Sequence, residues 1–267
     1  MGEVTGEQAV TVARSAVRQA GTLLSELAGT SAADARLKHG YEVVTEADLR
    51  SDELIRAVIR AEHPDHRVIS EENWEGWQEG MFDGPTWVVD PLDGSVNFAH
   101  NHPYVSVSVA YVVDGVVQAG AVCAPFLGQV FDAVRGGGAR CNGEPIAASA
   151  TATLADALVG TGFPHERTQL DGVMERIRRL VSHCRDIRRA GSPALDICWV
   201  AAGRLDAHTE SLGPWDVAAA GLIATEAGAC RTSLLPESIP LPSDLAGAGF
   251  MVAAPGVYEE LVRLLSK

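Results

Sequence analysis

Between residues 7 and 28, Val10, Ala13, Val17, Ala20, Leu24 and Leu27 recur at three- and four-residue spacing, which predicts an amphipathic helix. A second apolar stripe, Leu54, Ile55, Val58 and Ile59, follows Thr45-Glu46-Ala47-Asp48, where a favoured cap residue precedes acids in the first turn, and it stops before Pro64. The polar run Lys38-His39-Gly40-Tyr41-Glu42 between these helices reads as a mobile loop. The pattern then shortens to β-type runs at 67–70 and 86–89. Three strands fit between residues 105 and 134, joined by the hairpin signal Asp114-Gly115 and by a turn near 125–128. The second half alternates. It predicts a strand near 158–160, a basic helix over 170–183, a short strand at 186–188 and an apolar helix over 193–203. A strand around 205–208, a helix over 214–227 ending at Gly228, a strand at 249–253 and a last helix reaching Leu265 complete it. A hairpin-rich half followed by an α/β half predicts layers of helices around two sheets. The expected halves are 1–142 and 143–267, packed as one unit, because no repeat or linker composition separates them.

The chain has 267 residues, enough for a sizeable core, with 46% hydrophobic and 21% charged residues. A net charge of −14 argues against nucleic acid or an anionic membrane as the main partner. Cys123, Cys141, Cys184, Cys198 and Cys230 are odd in number and lack Cys-x-x-Cys spacing, as expected of reduced thiols. The start lacks a basic segment followed by an apolar one, and no apolar run reaches the ~18 residues of a membrane span. A soluble cytoplasmic protein is expected.

Chemistry concentrates in Val88-Val89-Asp90-Pro91-Leu92-Asp93-Gly94-Ser95. An apolar strand ends on an aspartate, and a Pro-x-Asp-Gly-Ser turn follows at once. Asp90 and Asp93 would face opposite sides of a continued strand, whereas a turn lets them share a centre. Two carboxylates beside exposed Gly-Ser amides suit a hard divalent cation with a phosphate. Three other acidic features join them: Ser70-Glu71-Glu72 at a strand end, Trp215-Asp216 opening an apolar helix, and Asp48 on another helix start. Each alone could be a helix-dipole partner or a solvated acid. Gathered together, such carboxylates repel one another unless cations neutralise them.

These strings resemble the inositol monophosphatase family of Mg²⁺-dependent, lithium-sensitive sugar and polyol phosphatases. The resemblance rests on Val44-Thr45-Glu46-Ala47-Asp48, Ile69-Ser70-Glu71-Glu72, Trp87 to Phe98, Val200 to Ala207 and Gly213-Pro214-Trp215-Asp216, within a similarity spanning residues 8 to 260. It implies an α/β (α+β) fold in a five-layered αβαβα sandwich, usually dimeric. Glu71, Asp90 and the Leu92 carbonyl would hold one Mg²⁺, and Asp90, Asp93 and Asp216 a second, with a weaker third ion near Glu71. The Gly94 and Ser95 amides would face the phosphate. Asp48, Thr45 and Ser95 would orient a metal-activated water, with Glu71 among the catalytic groups and Glu72 supporting from behind. Gly191, Ser192 and Glu210 would meet the substrate, and Lys38 would approach the metals.

Two features blur the substrate. Pro193 deletes an N–H beside Ser192, and the spacing from Glu210 to Trp215 is one residue shorter than in the animal enzymes. Ser192-Pro193 also reads simply as a helix cap with Pro at the first helical position. Inositol 1-phosphate or a similar polyol phosphate is the foremost substrate expected, with histidinol phosphate its rival and sugar or nucleotide bisphosphates behind. A protein-binding regulator is the alternative from another class. An aspartyl-phosphate route would want Asp-x-Asp spacing, and a P-loop string is missing.

Overall fold

The protein is described by a computed structural model covering residues 4–29, 36–37, 43–163 and 170–266. Thr5 caps α1 (Gly6–Leu27), whose buried stripe runs from Ala9 to Leu24. The two-residue strands β1 (Arg36–Leu37) and β2 (Val43–Val44) pair antiparallel. Thr45 then caps α2 (Glu46–Glu62), as the sequence predicts. Strand β3 (Arg67–Ser70) lies parallel to β4 (Pro85–Asp93), and the short helix α3 (Ser95–Ala99) follows. An antiparallel meander comes next, through β5 (Ser106–Val113), β6 (Val116–Ala124), β7 (Gln129–Val134), β8 (Ala139–Cys141) and β9 (Glu144–Pro145). Asp114 and Gly115 both take positive φ, 49° and 77°, between β5 and β6. That geometry matches the twist of a tight hairpin and explains the sequence signal.

The remainder alternates β10 (Leu158–Thr161), α4 (Leu170–His183), β11 (Asp186–Arg188), α5 (Pro193–Ala201) and β12 (Ala207–Glu210). It closes with α6 (Pro214–Glu226), β13 (Cys230–Ser233), β14 (Phe250–Ala253) and α7 (Pro255–Leu265). Strands β3 to β9 form a seven-stranded sheet in sequence order, and the other sheet runs β11-β10-β12-β14-β13. Three cores glue the layers. Ala13, Val17 and Leu24 of α1 and Ile55 of α2 pack on Trp87, Val89 and Val107 of the larger sheet. Its other face, with Val88 and Val122, meets Leu195 of α5 and Val217 and Ile223 of α6, which also cover Phe250 and Val252 of the smaller sheet. The outer face of that sheet, with Val159 and Met251, buries Leu180 of α4 and Leu261 of α7. The layering is therefore helix, sheet, helix, sheet, helix, with α5 and α6 at the centre.

Two readings of the pattern need correction. The run 86–89 continues as strand to Asp93, because a bulge keeps the Asp-Pro-x-Asp segment in the sheet. The strand expected at 205–208 is shifted to Ala207–Glu210. Asp206 serves as an anchor instead, accepting from Ser149 Oγ at 2.5 Å and the Leu158 amide at 2.7 Å. Strands β8, β9 and β13 and helix α3 carry too little apolar periodicity to announce themselves.

Candidate metal centre and substrate cavity

Strand β4 shows how two aspartates three residues apart come to face one centre. Trp87 and Val89 point toward α1 and α2, while Val88 points toward α6. Asp90 pairs with Ser108 and Asp93 with Ser106, so three steps on β4 oppose two on β5. That extra residue is a β-bulge, which reverses the alternation. Leu92 accordingly sits in the core beneath α1 and α2, on the side opposite Val88, and Asp93 returns to the face of Asp90. Ser51 Oγ pins the bulge by donating to the Pro91 carbonyl at 2.7 Å. Gly94 then turns with φ 100°, and a side chain there would meet the Gly191 and Tyr104 carbonyl oxygens. Asn97 of α3 ties the same place by donating to the Tyr104 and Ala190 carbonyls at 2.7 and 2.8 Å.

Asp216 enters from the first turn of α6, held by the Gly213 amide on Oδ2 at 2.8 Å. Carboxylate oxygens of Asp90, Asp93 and Asp216 lie within 4.8 Å of one another. Asp93 Oδ2 accepts from Ser192 Oγ at 2.6 Å, the Ala194 amide at 2.8 Å and Ser106 Oγ at 3.2 Å. Ser192 occupies the cap position of α5 with Pro193 next, yet its hydroxyl makes no cap bond and serves Asp93. Glu71 opens a 3-10 turn after β3 and lines the same cavity, whereas Glu72 lies in that turn with its amide donating to Ser70 Oγ.

Beside this cluster stands a hydrogen-bonded chain. Ser95 Oγ donates to Asp48 Oδ1 at 2.6 Å, and the Thr45 hydroxyl and amide donate to Asp48 Oδ2 at 2.6 and 2.7 Å. Thr45 and Asp48 are buried, and Ser95 brings the chain to the cavity. Lys38 lies outside the described residues.

The cavity holds ≈ 380 Å³ and is lined by the metal-type acids, Gly94, Ser95, Gly191 and Ser192 on one side and Phe163, Arg189, Asp196 and Glu210 on another. Burial, and then the charges of Glu71, Asp93 and Asp216, push Asp90 well above the usual carboxylate range. Burial likewise pushes Asp93 up to about 7, against the hydrogen bonds from Ser192, Ala194 and Ser106. Asp216 is raised by burial and by Asp93. Asp48 is raised by burial despite the bonds from Ser95 and Thr45. Among the described residues no Lys or Arg forms an ion pair with Asp90, Asp93 or Asp216. Buried anions without a basic partner, offering only oxygen, fit a hard divalent cation.

Sequence reasoning missed much of the other wall. Arg189, which belongs to no motif, lines the cavity with its guanidinium 5.8 Å from the Phe163 ring centre. Asp196 sits alone in an apolar run, and His208 alternates with Ala207 and Thr209 in a short mixed segment, so neither forms a recognisable motif. His102 and Trp199 are supports: His102 Nδ1 accepts from the Tyr104 amide, and Trp199 packs edge-on against the Tyr104 ring.

Comparison with known proteins extends over nearly the whole chain. Residues 6–267 match the model of the inositol monophosphatase family. "Nus factor SuhB" of Pasteurella multocida is 39% identical over 85% of this chain and 83% of its own. "Inositol-1-monophosphatase" of a Synechocystis strain is 34% identical over 96% of this chain and 88% of its own. The solved IMPase of Thermotoga maritima superposes with a TM-score of 0.82 at 32% identity, covering 94% of both chains. With whole-length family, sequence and fold matches in hand, the chain belongs to the inositol monophosphatase family.

Proposed function

We propose that the protein is a Mg²⁺-dependent phosphomonoesterase acting on a small polyol phosphate, inositol 1-phosphate foremost. The observation that carries this reading is the meeting of Asp90, Asp93 and Asp216 within 4.8 Å in a cavity that Ser95 and Glu210 also line. Asp90, Asp93 and Asp216, with Glu71 and the Leu92 carbonyl, would hold the ions. Bound Mg²⁺ supplies charge neutralisation for the phosphate and the departing oxygen and eases ionisation of water.

The chain's own residues do the rest. Ser95 Oγ donates its hydrogen bond to Asp48, so its lone pairs are available to accept a hydrogen bond from the attacking water, and its own proton moves to Asp48 only as it takes the water's. Thr45 locks the second Asp48 oxygen and fixes that direction. Asp48, its affinity for protons raised by burial, receives the water's proton through Ser95. Amides of Gly94 and Ser95 hydrogen-bond the phosphate oxygens, and Glu210 accepts from a hydroxyl of the alcohol portion. Lithium would inhibit by competing for one of the cation positions.

The test is phosphate release from inositol 1-phosphate, histidinol phosphate, a sugar bisphosphate and a nucleoside bisphosphate, with Mg²⁺ and with chelator. Mg²⁺-dependent release, highest with inositol 1-phosphate, is the expected result. No release from any of them would reject the enzyme. The relatives named Nus factors support a second reading, a protein-binding regulator. Retention of all the expected acids favours the phosphatase.

A further inference from the structure

Behind Glu210 lies a buried polar chain that the phosphate chemistry does not use. His208 and Glu210 alternate onto the face of β12 that looks at α5, with Ala207 on the opposite face. The His208 ring is fully buried, with Nδ1 3.2 Å from Asp196 Oδ2 and Nε2 3.6 Å from Glu210 Oε2. Asp196 Oδ1 accepts from the Tyr104 hydroxyl at 2.6 Å. Neither imidazole nitrogen makes an aligned hydrogen bond in this structure.

The neighbouring strand is shaped for this chain. Gly160 of β10 stands opposite His208, and a Cβ on it would lie 2.9 Å from His208 Nδ1 and 3.1 Å from Asp196 Oδ2. At Gly162, a Cβ would sit 1.9 Å from Glu210 Oε1. Two glycines thus leave room where any side chain would displace the imidazole or the carboxylate. Across from His208 on the other side, β14 offers only Val252. The charged groups facing this array are Asp93 of β4 beside Asp196, Asp216 of α6 beside Glu210, Arg176 from α4 and Arg189 after β11. Both arginines act on Glu210 from outside the ring contact.

We infer that His208 is a positioning residue that bridges Asp196 to Glu210 and holds the Glu210 carboxylate, as an anion, toward the alcohol part of the substrate. Each ring nitrogen faces one carboxylate, so a single side chain meets both at once. The consequence is that polyol recognition depends on His208 while phosphate cleavage does not. This inference rests on the reading of Glu210 given under the proposed function.

The test has two arms. In the first, His208→Phe and His208→Gln are compared with the parent on inositol 1-phosphate and on para-nitrophenyl phosphate, whose leaving group bears no polyol hydroxyls. His208→Phe keeps the ring volume, and it should raise KM for inositol 1-phosphate about 10-fold with kcat nearly unchanged, as loss of uniform binding does. Its kinetics on para-nitrophenyl phosphate should stay at the parent's level, and His208→Gln, which retains a donor, should recover most of the loss. Equal losses on both substrates, or no change in KM, would overturn the inference. The second arm needs no turnover and so separates a failed inference from a failed functional reading. Histidine ring resonances are recorded by NMR at a single pH in the parent and in Glu210→Gln. Removing the carboxylate that faces Nε2 should shift the His208 ring signals and leave those of the other histidines in place. Unchanged His208 signals overturn the inference even if the protein proves to be an active phosphatase.

Discussion

The floor of the cavity sets Asp90, Asp93 and Asp216 against one another, whereas the wall built from β10, β12 and α5 places Glu210 and Asp196 around His208, with Arg176 and Arg189 beyond. Both regions are buried and acidic. They differ in how the charge is balanced. On the floor every raised carboxylate is raised partly by another one, so the balance must come from outside the chain. On the wall, His208, Arg189 and Arg176 each pull Glu210 back toward ionisation against burial. A region that neutralises itself can recognise a neutral hydroxyl, while one that does not is suited to a cation and a phosphate. On the proposed function, the two jobs of a phosphatase would fall to different electrostatic designs within one cavity.

The sharpest way to break this contrast is Asp93→Asn. It should lower kcat for phosphate release by about 10³-fold while far-UV circular dichroism stays the same, since the change removes charge and keeps volume. Retained turnover would mean the floor is not the metal centre. Asp48→Asn should cost about 10²-fold in kcat, in the range of a positioned proton acceptor, with Mg²⁺ affinity unaltered when measured by calorimetry. Ser192→Ala removes a hydrogen bond to the proposed ligand Asp93 while leaving every proposed ligand in place. It should weaken Mg²⁺ about 10-fold, as outer partners of metal carboxylates do.

The smallest effect is on stability. Asp93 has a folded pKa of about 7 against an ordinary 3.8, so its protonated form favours the fold. That contribution is complete below 3.8 and is lost as pH rises through about 7. Chelator-treated protein should therefore melt at lower temperature at pH 8 than at pH 5.5. Added Mg²⁺, which binds the deprotonated acids, should raise the Tm by about 2–4 °C more at pH 8. Scanning calorimetry with and without Mg²⁺ at both pH values checks this, and an equal gain at both would remove the floor's charge imbalance from the account.

The same contrast explains what could be read from the sequence. The floor is written in contiguous strings: Asp90 to Ser95 spans one bulge and one turn, and Asp216 follows Trp215 at a helix start. Its residues were legible because local backbone chemistry positions them. Even there the route differed, since Asp90 and Asp93 converge through a bulge within β4 instead of a turn beyond it. The wall depends on register. His208 reaches Asp196 because β12 pairs with β10 at Gly160 and α5 packs over both, which no short string encodes. Ser192 shows the limit from another side: its cap position was legible, but the destination of its hydroxyl on Asp93 joins residues 99 positions apart. The helices α1, α2, α4 and α7 were plain from periodicity, while β13, with half-buried polar positions, offered no pattern.

The central claim is that the acids of β4 and α6 jointly trap a divalent cation. A crystal grown with Mn²⁺ in place of Mg²⁺ and measured at the manganese absorption edge tests it most directly. The account predicts anomalous density coordinated together by Asp90, Asp93 and Asp216. A map with no such peak, and with Asp216 turned away from the other two, would contradict it.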